Sequence, residues 1–235
     1  MRAWVDYYDS DHTIYANARH RDVHFARIAK DIVSYVPASD ATVLDYSCGE
    51  ALDAAKVAAA SGKLFLAEPA PGVRARITAR FSGNPKIAVV TLEDVAAMPD
   101  QSIDFAVMHS VSQYMTAQEI DTALKTIRRL LKPSGIFVIG DVVAPNTSAV
   151  IDALALLRFG LRDGFFIAAF ASLVRTFFSS YWRLRSSIGL SRYSEADMRA
   201  KLAACGFSAS RQPVNIGHNQ ARMTFLCRPA QGHLA

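Results

Sequence analysis

The chain is short of the residues that staple, stiffen or anchor unusual folds. Its 235 residues include only three cysteines, Cys48, Cys205 and Cys227, widely separated and with no C-x-x-C pair. An odd, scattered set excludes a disulfide framework and a thiolate zinc site, and it fits a reducing compartment. Twelve glycines and nine prolines are too few for a collagen-like or disordered chain. The longest uncharged apolar run, Gly164 to Val174, has 11 residues, against the ~20 that a membrane-spanning helix needs. The opening residues are polar and acidic and hold no apolar signal core. There is no G-K-[ST] triplet, which excludes a Walker-type phosphate loop, and no internal repeat. These absences predict a soluble, cytoplasmic protein.

What is present is an apolar share of 51% in a chain of single-domain length, so residues 1–235 are expected to share one core. The net charge of +5 is uneven. From Arg158 to Arg211 nine Lys/Arg face three Asp/Glu, and the rest of the chain is nearly balanced. Those cations interrupt an apolar run instead of forming a basic stripe with stacking aromatics. That argues against nucleic acid and points to a lipophilic or anionic partner.

Short apolar runs alternate with helical stretches, the pattern of βαβ units and a parallel sheet. Strands are predicted at Thr42–Asp45, Lys63–Ala67, Lys86–Thr91, Ile103–His109 and Ile136–Asp141, with helices at Ala51–Ala60, Gly72–Phe81 and Ala117–Leu131 between them. Thr116 with Glu119, and Ser194 with Asp197, form capping boxes that start helices. The second begins Glu195–Ala204, and strands Phe207–Val214 and Arg222–Arg228 close the chain. An apolar helical insertion at about 148–190 interrupts this order.

The first turn reads Asp45-Tyr46-Ser47-Cys48-Gly49-Glu50-Ala51. Small residues at 47, 49 and 51 allow a sharp bend and close approach of a ligand, and the carboxyl end of strand one is where such sheets bind nucleotides. A dinucleotide site would want G-x-G-x-x-G and a helix end facing pyrophosphate. A carboxylate at Asp45 repels pyrophosphate and suits a ligand carrying an ammonium and a sulfonium.

At these residues the chain resembles the class I S-adenosylmethionine-dependent methyltransferases, whose first motif is commonly D-x-G-x-G-x-G. Here Ser47 and Ala51 replace the outer glycines, and a positive φ at Ser47 would be strained. Met98-Pro99-Asp100-Gln101-Ser102-Ile103-Asp104-Phe105 resembles the family's entry to strand four, and Leu130-Leu131-Lys132-Pro133-Ser134-Gly135 its entry to strand five. The resemblance implies a Rossmann-like three-layer α/β sandwich. Its sheet would have seven mostly parallel strands with an antiparallel last strand. Residues 1–39 would form an N-terminal cover and 148–190 a helical lid.

It also implies S-adenosylmethionine as cofactor and S-adenosylhomocysteine as product. Asp45, Ser47 and Gly49 would hold the methionine end, and Glu68, followed by Pro69, the ribose diol. Glu93 or Asp94 would meet adenine, and His109 and Ser110 would line the crevice. Tyr15 and Arg19 would share a face of a covering helix with Tyr8 nearby. His12, His20 and His24 have no evident metal-ligand partner. For proton removal from the acceptor, His218, Asp141 and His109 are the candidates. The place after strand four reads H-S-V-S-Q-Y, without the N-P-P-[YF] signature of nucleic-acid and protein methylation. Three roles fit 148–190: a lid over an apolar pocket, a membrane or homodimer contact, or an extra core layer. The expected reaction is methyl transfer to a small, largely apolar or lipid-like acceptor. The alternative is a binding or membrane-associated protein on the same fold without turnover.

Overall fold

The computed structural model describes Val5, Asp9, residues 15–177 and residues 190–230. Phe178, Tyr181, Trp182, Arg183 and Arg185 of the insertion, and Tyr8 and His12, lie outside the described residues. The element order is α1 (Ala18–Val33), β1 (Thr42–Tyr46), α2 (Ala54–Ala59), β2 (Lys63–Ala67), α3 (Pro71–Phe81), β3 (Ile87–Val90), α4 (Leu92–Ala97), β4 (Ile103–His109), a 3-10 turn (Ser112–Tyr114), α5 (Ala117–Leu130), β5 (Leu131–Val142), α6 (Ala149–Asp163), α7 (Phe166–Phe177), α8 (Glu195–Ala204), β6 (Phe207–Arg211) and β7 (Met223–Pro229).

The sheet runs β3-β2-β1-β4-β5-β7-β6. Strands one to five are parallel, and β7 is antiparallel to both β5 and β6. The expected antiparallel last strand is therefore present, and the β6–β7 loop opens at the carboxyl ends of the parallel strands. Successive residues of β1 and β4 are buried on opposite faces, as a sheet covered on both sides requires. Val43, Phe105 and Val107 pack beneath α1 and α2, while Leu44, Ala106 and Met108 pack beneath α5 and α8.

Both expected capping boxes form: Thr116 with Glu119 opens α5, and Ser194 with Asp197 opens α8. A third, Thr91 with Asp94, opens α4, a helix the sequence reading left out. Strand β5 starts at Leu131, five residues earlier than expected, because Leu131 pairs with Ile103 before a shift in register. The described part of the insertion before residue 178 is the hairpin α6–α7, turned by Gly164 at φ 81°. Gly160 lets the two helices meet: a Cβ there would stand 3.0 Å from the Phe166 Cα. No helix among the described residues is long and apolar enough to cross a membrane.

Candidate active site

The carboxyl ends of β1, β2, β4 and β5 open into a cavity of about 990 Å³. Among the described residues, five non-glycine residues have positive φ: Ser47 (62°), Ala51 (42°), Gln101 (53°), Ser110 (57°) and Asp141 (62°). All but Gln101 line this cavity. Left-handed backbone is costly for residues with a Cβ, and its concentration at strand ends marks where the fold gives up local comfort for function.

At one end of the cavity the first turn is clasped by Glu68. The Glu68 Oε2 accepts from the Gly49 N–H and Oε1 from the Ala70 N–H, both at 2.8 Å. Each oxygen keeps a further lone pair, so the carboxylate can accept from two vicinal hydroxyls. Glu68 is 4% exposed, and burial raises its pKa, with the two backbone N–H groups pulling the other way. Asp45 is pushed up to about 7 by burial and by the Glu68 carboxylate. No hydrogen bond or ion pair among the described residues serves the Asp45 carboxylate. The Ser47 Oγ is likewise buried with no partner, and nothing lies within 4 Å of where a Gly49 Cβ would stand. This end is acidic, spacious and short of donors.

The other end is built of rings. His218 of the β6–β7 loop stacks on Phe159 of α6, with centroids 4.6 Å apart and planes 7° apart. His20 of α1 stacks on Phe165 at 4.7 Å and 12°. The two phenyl rings meet edge to face at 5.1 Å. Four rings thus tie the N-terminal helix, the insertion and the last loop together over the cavity. Burial pushes His20 and His218 down to about 4 and His24 well below the ordinary range, with neighbouring histidines adding to the effect. All three are neutral at pH 7. The Ala16 N–H donates to the His20 Nδ1 at 3.1 Å, which leaves the His20 proton on Nε2.

Beneath the rings lies a charged knot. Arg222 bonds the Asp141 Oδ2 at 2.8 Å and the Asp152 Oδ2 at 3.2 Å, with its side chain 11% exposed. Burial works against that charge, but the two carboxylates hold its pKa above the ordinary value. The Ser110 hydroxyl donates to the same Asp141 oxygen at 2.7 Å, and the Asn219 Nδ2 to the Asp152 Oδ1 at 2.8 Å. The insertion is thereby latched to the last loop.

A family model described as a methyltransferase domain matches residues 44–139, which contain the first turn, Glu68 and β4. Residues 44–139 thus match a methyltransferase domain within a fold shared with class I S-adenosylmethionine-dependent methyltransferases. No curated protein sequence matches it. Solved structures share the fold at low identity. DhpI in complex with SAH aligns at 13% identity and TM-score 0.61, over 97% of this chain and 96% of that one. Magnesium protoporphyrin IX methyltransferase from Synechocystis PCC 6803, with bound SAH, aligns at 14% and 0.59, over 96% and 92%. Human N-acetylserotonin methyltransferase in complex with SAM aligns at 12% and 0.55, over 89% and 52%.

A methyltransferase domain implies S-adenosylmethionine as cofactor, and the acidic end of the cavity fits that molecule. Glu68 offers a bidentate acceptor, Asp45 an unpaired carboxylate for a cation, and Gly49 an open backbone. Of the expected cofactor residues, Asp45, Ser47, Gly49, Glu68, His109, Ser110 and Tyr15 all line the cavity. Pro69, Glu93, Asp94 and Arg19 do not. Glu93 and Asp94 are exposed on α4, and the Asp94 Oδ2 accepts from the Thr91 N–H and hydroxyl at 2.9 and 2.8 Å. Tyr15 and Arg19 do not share a helix face, because α1 begins only at Ala18, capped by Asn17. Arg19 donates instead to the Asp163 carbonyl at 3.0 Å. Burial raises the Tyr15 pKa, so its phenol stays protonated.

Asp141 is corrected as a base candidate, since its carboxylate is already held by Arg222 and Ser110. His109 faces the cavity with its Nε2 3.3 Å from the Ile216 carbonyl, which can only accept, so that nitrogen carries the proton. His218 remains with no such engagement. His20, His24, Asp152, Phe159 and Arg222 were missed as site residues. The four-residue spacing of His20 and His24 was visible, but the Phe159, Phe165 and His218 rings they meet are more than 130 residues away.

Proposed function

We propose that the enzyme transfers the methyl group of S-adenosylmethionine to a small, largely apolar acceptor that bears one weakly acidic proton. The observation that carries this reading is that one cavity joins the acidic turn at Asp45 and Glu68 to a facing wall of Phe25, Ile28, Leu156, His20 and His218, whose two imidazoles are backed by the Phe165 and Phe159 rings. Bound S-adenosylmethionine supplies an electrophilic methyl group on a sulfonium sulfur. The chain's part is to hold, orient and keep dry.

Glu68 is the acceptor for the ribose hydroxyls, and Asp45 balances the cationic end. Phe25, Ile28 and Leu156, with His20 and His218 neutral beside them and Arg222 neutralised by Asp141 and Asp152, offer a largely apolar wall, which favours an uncharged acceptor body. His218 takes the acceptor's proton. Burial keeps the His218 imidazole neutral at pH 7, so it can accept a proton from the acceptor. Asp141 positions Arg222, and Arg222 holds the His218 loop to α6.

The test is methyl transfer from labelled S-adenosylmethionine into the organic phase of a metabolite extract. The wild type should label an apolar product. His218→Asn should lower the rate at least about tenfold and leave S-adenosylmethionine affinity unchanged. Labelling by His218→Asn at the wild-type rate would remove His218 from the reaction.

A further inference from the structure

The hairpin α6–α7 has two unlike sides. Its inner side carries Phe159, Phe165 and Ala169, all buried, together with Asp152 and Leu156, which line the cavity. Its outer side is apolar and bare. Of the nine large apolar side chains exposed among the described residues, eight fall between Val150 and Val174. Leu161 is 72% exposed, Ile167 84% and Phe170 57%. A soluble protein rarely leaves so contiguous an apolar patch in water unless something covers it.

The charge on the hairpin indicates what covers it. Asp152 and Asp163 are its two acids, and both are already engaged: Asp152 with Arg222 and Asn219, Asp163 with Arg162. Arg158 stands exposed beside the patch with no ion pair among the described residues, and Arg162 stands exposed with its charge shared with Asp163; Arg175 turns to the cavity side, toward the Ala16 carbonyl. Residues 149–177 carry three arginines against these two acids. Apolar residues flanked by arginines, with no acid on the outer face, match the headgroup and acyl boundary of an anionic bilayer. A second copy of the same chain would bring the same cations to the contact.

We propose that α6–α7 docks the enzyme on an anionic lipid surface, with Leu161, Phe166, Ile167 and Phe170 among the acyl chains and Arg158 and Arg162 at the phosphates. This rests on the proposed apolar acceptor only for its purpose. The inner side of the same hairpin lines the cavity, so docking would bring the cavity wall to the layer where apolar acceptors dissolve.

The test is co-sedimentation of the full chain with vesicles of phosphatidylcholine, with and without phosphatidylglycerol. Melting temperature, elution mass and S-adenosylmethionine binding are measured on the same samples. The wild type should pellet with the anionic vesicles, less at high salt, and hardly with pure phosphatidylcholine. The double variant Ile167→Glu/Phe170→Glu should pellet at least about tenfold less while melting and binding S-adenosylmethionine like the wild type. Wild type that stays in the supernatant overturns the proposal, as does a variant that pellets equally. A wild type of dimer mass that becomes monomeric in the variant, without vesicle binding, assigns the face to a second copy and overturns it too. Cofactor binding without vesicle binding overturns docking alone; vesicle binding without cofactor binding overturns the catalytic reading and leaves docking in place.

Discussion

Replacing Ser47 by glycine should stabilise the protein, against the usual outcome for a mutation at an active site. Ser47 sits at φ 62° with its hydroxyl buried and unpartnered. The left-handed conformation costs a residue with a Cβ about 1–2 kcal/mol, and an unsatisfied buried hydroxyl about 1–3 kcal/mol. Glycine removes both and adds about 0.5–1 kcal/mol of backbone entropy. The balance favours Ser47→Gly by about 2 kcal/mol, or a rise of ~4–8 °C in Tm for a chain of this size. Ala51, at φ 42° and 8% exposed, is the control. Its glycine variant recovers a similar strain but loses a buried methyl worth about 0.8 kcal/mol and incurs the same entropy cost, so its Tm should barely move. Thermal and urea melts of the three proteins without cofactor decide the matter. A Ser47→Gly protein that melts at or below the wild type refutes the reasoning, as does an Ala51→Gly protein that gains as much.

Arg222→Ala should destabilise by about 3–5 kcal/mol, since it leaves Asp141 and Asp152 buried without their cation; a urea midpoint within error of the wild type would contradict the latch. Stability should also fall with acid. His20 and His218 titrate at about 4 when folded and at ~6.5 when unfolded, so the native state binds fewer protons between those values. That stability is complete above ~6.5 and is lost as pH falls toward about 4. Asp45, pushed up to about 7, works in the opposite direction over an overlapping window, but as one group against two. Tm measured from pH 6.5 to 4.5 should therefore drop. His218→Phe, which keeps a ring on Phe159, should drop less steeply, and an equal slope would remove His218 from the effect.

The strand order and the acidic first turn were legible because local signals carry them: apolar runs bounded by small residues, and capping boxes at Thr116 and Ser194. Glu68 was found by its place at the end of β2, and the positive φ at Ser47 by its motif position. Asp94 reads both as a ligand contact and as a helix cap, and the capping box it forms with Thr91 is the local signal that spacing could have found. Arg222 was invisible for another reason. Its partners lie 70 and 81 positions away, and only the folded loop brings them together. The ring wall likewise joins residues from three distant segments, so single-residue patterns say nothing of it.

The account turns on whether the carboxylates of Asp45 and Glu68 choose the ligand, and calorimetric titration at pH 8 tests this directly. Wild type should bind S-adenosylmethionine and S-adenosylhomocysteine and ignore NAD, and Asp45→Asn and Glu68→Gln should each weaken the binding of S-adenosylmethionine by about ten- to a hundredfold. Folded wild type that gives no heat with S-adenosylmethionine, or neutral variants that bind it as tightly as the wild type, would contradict it.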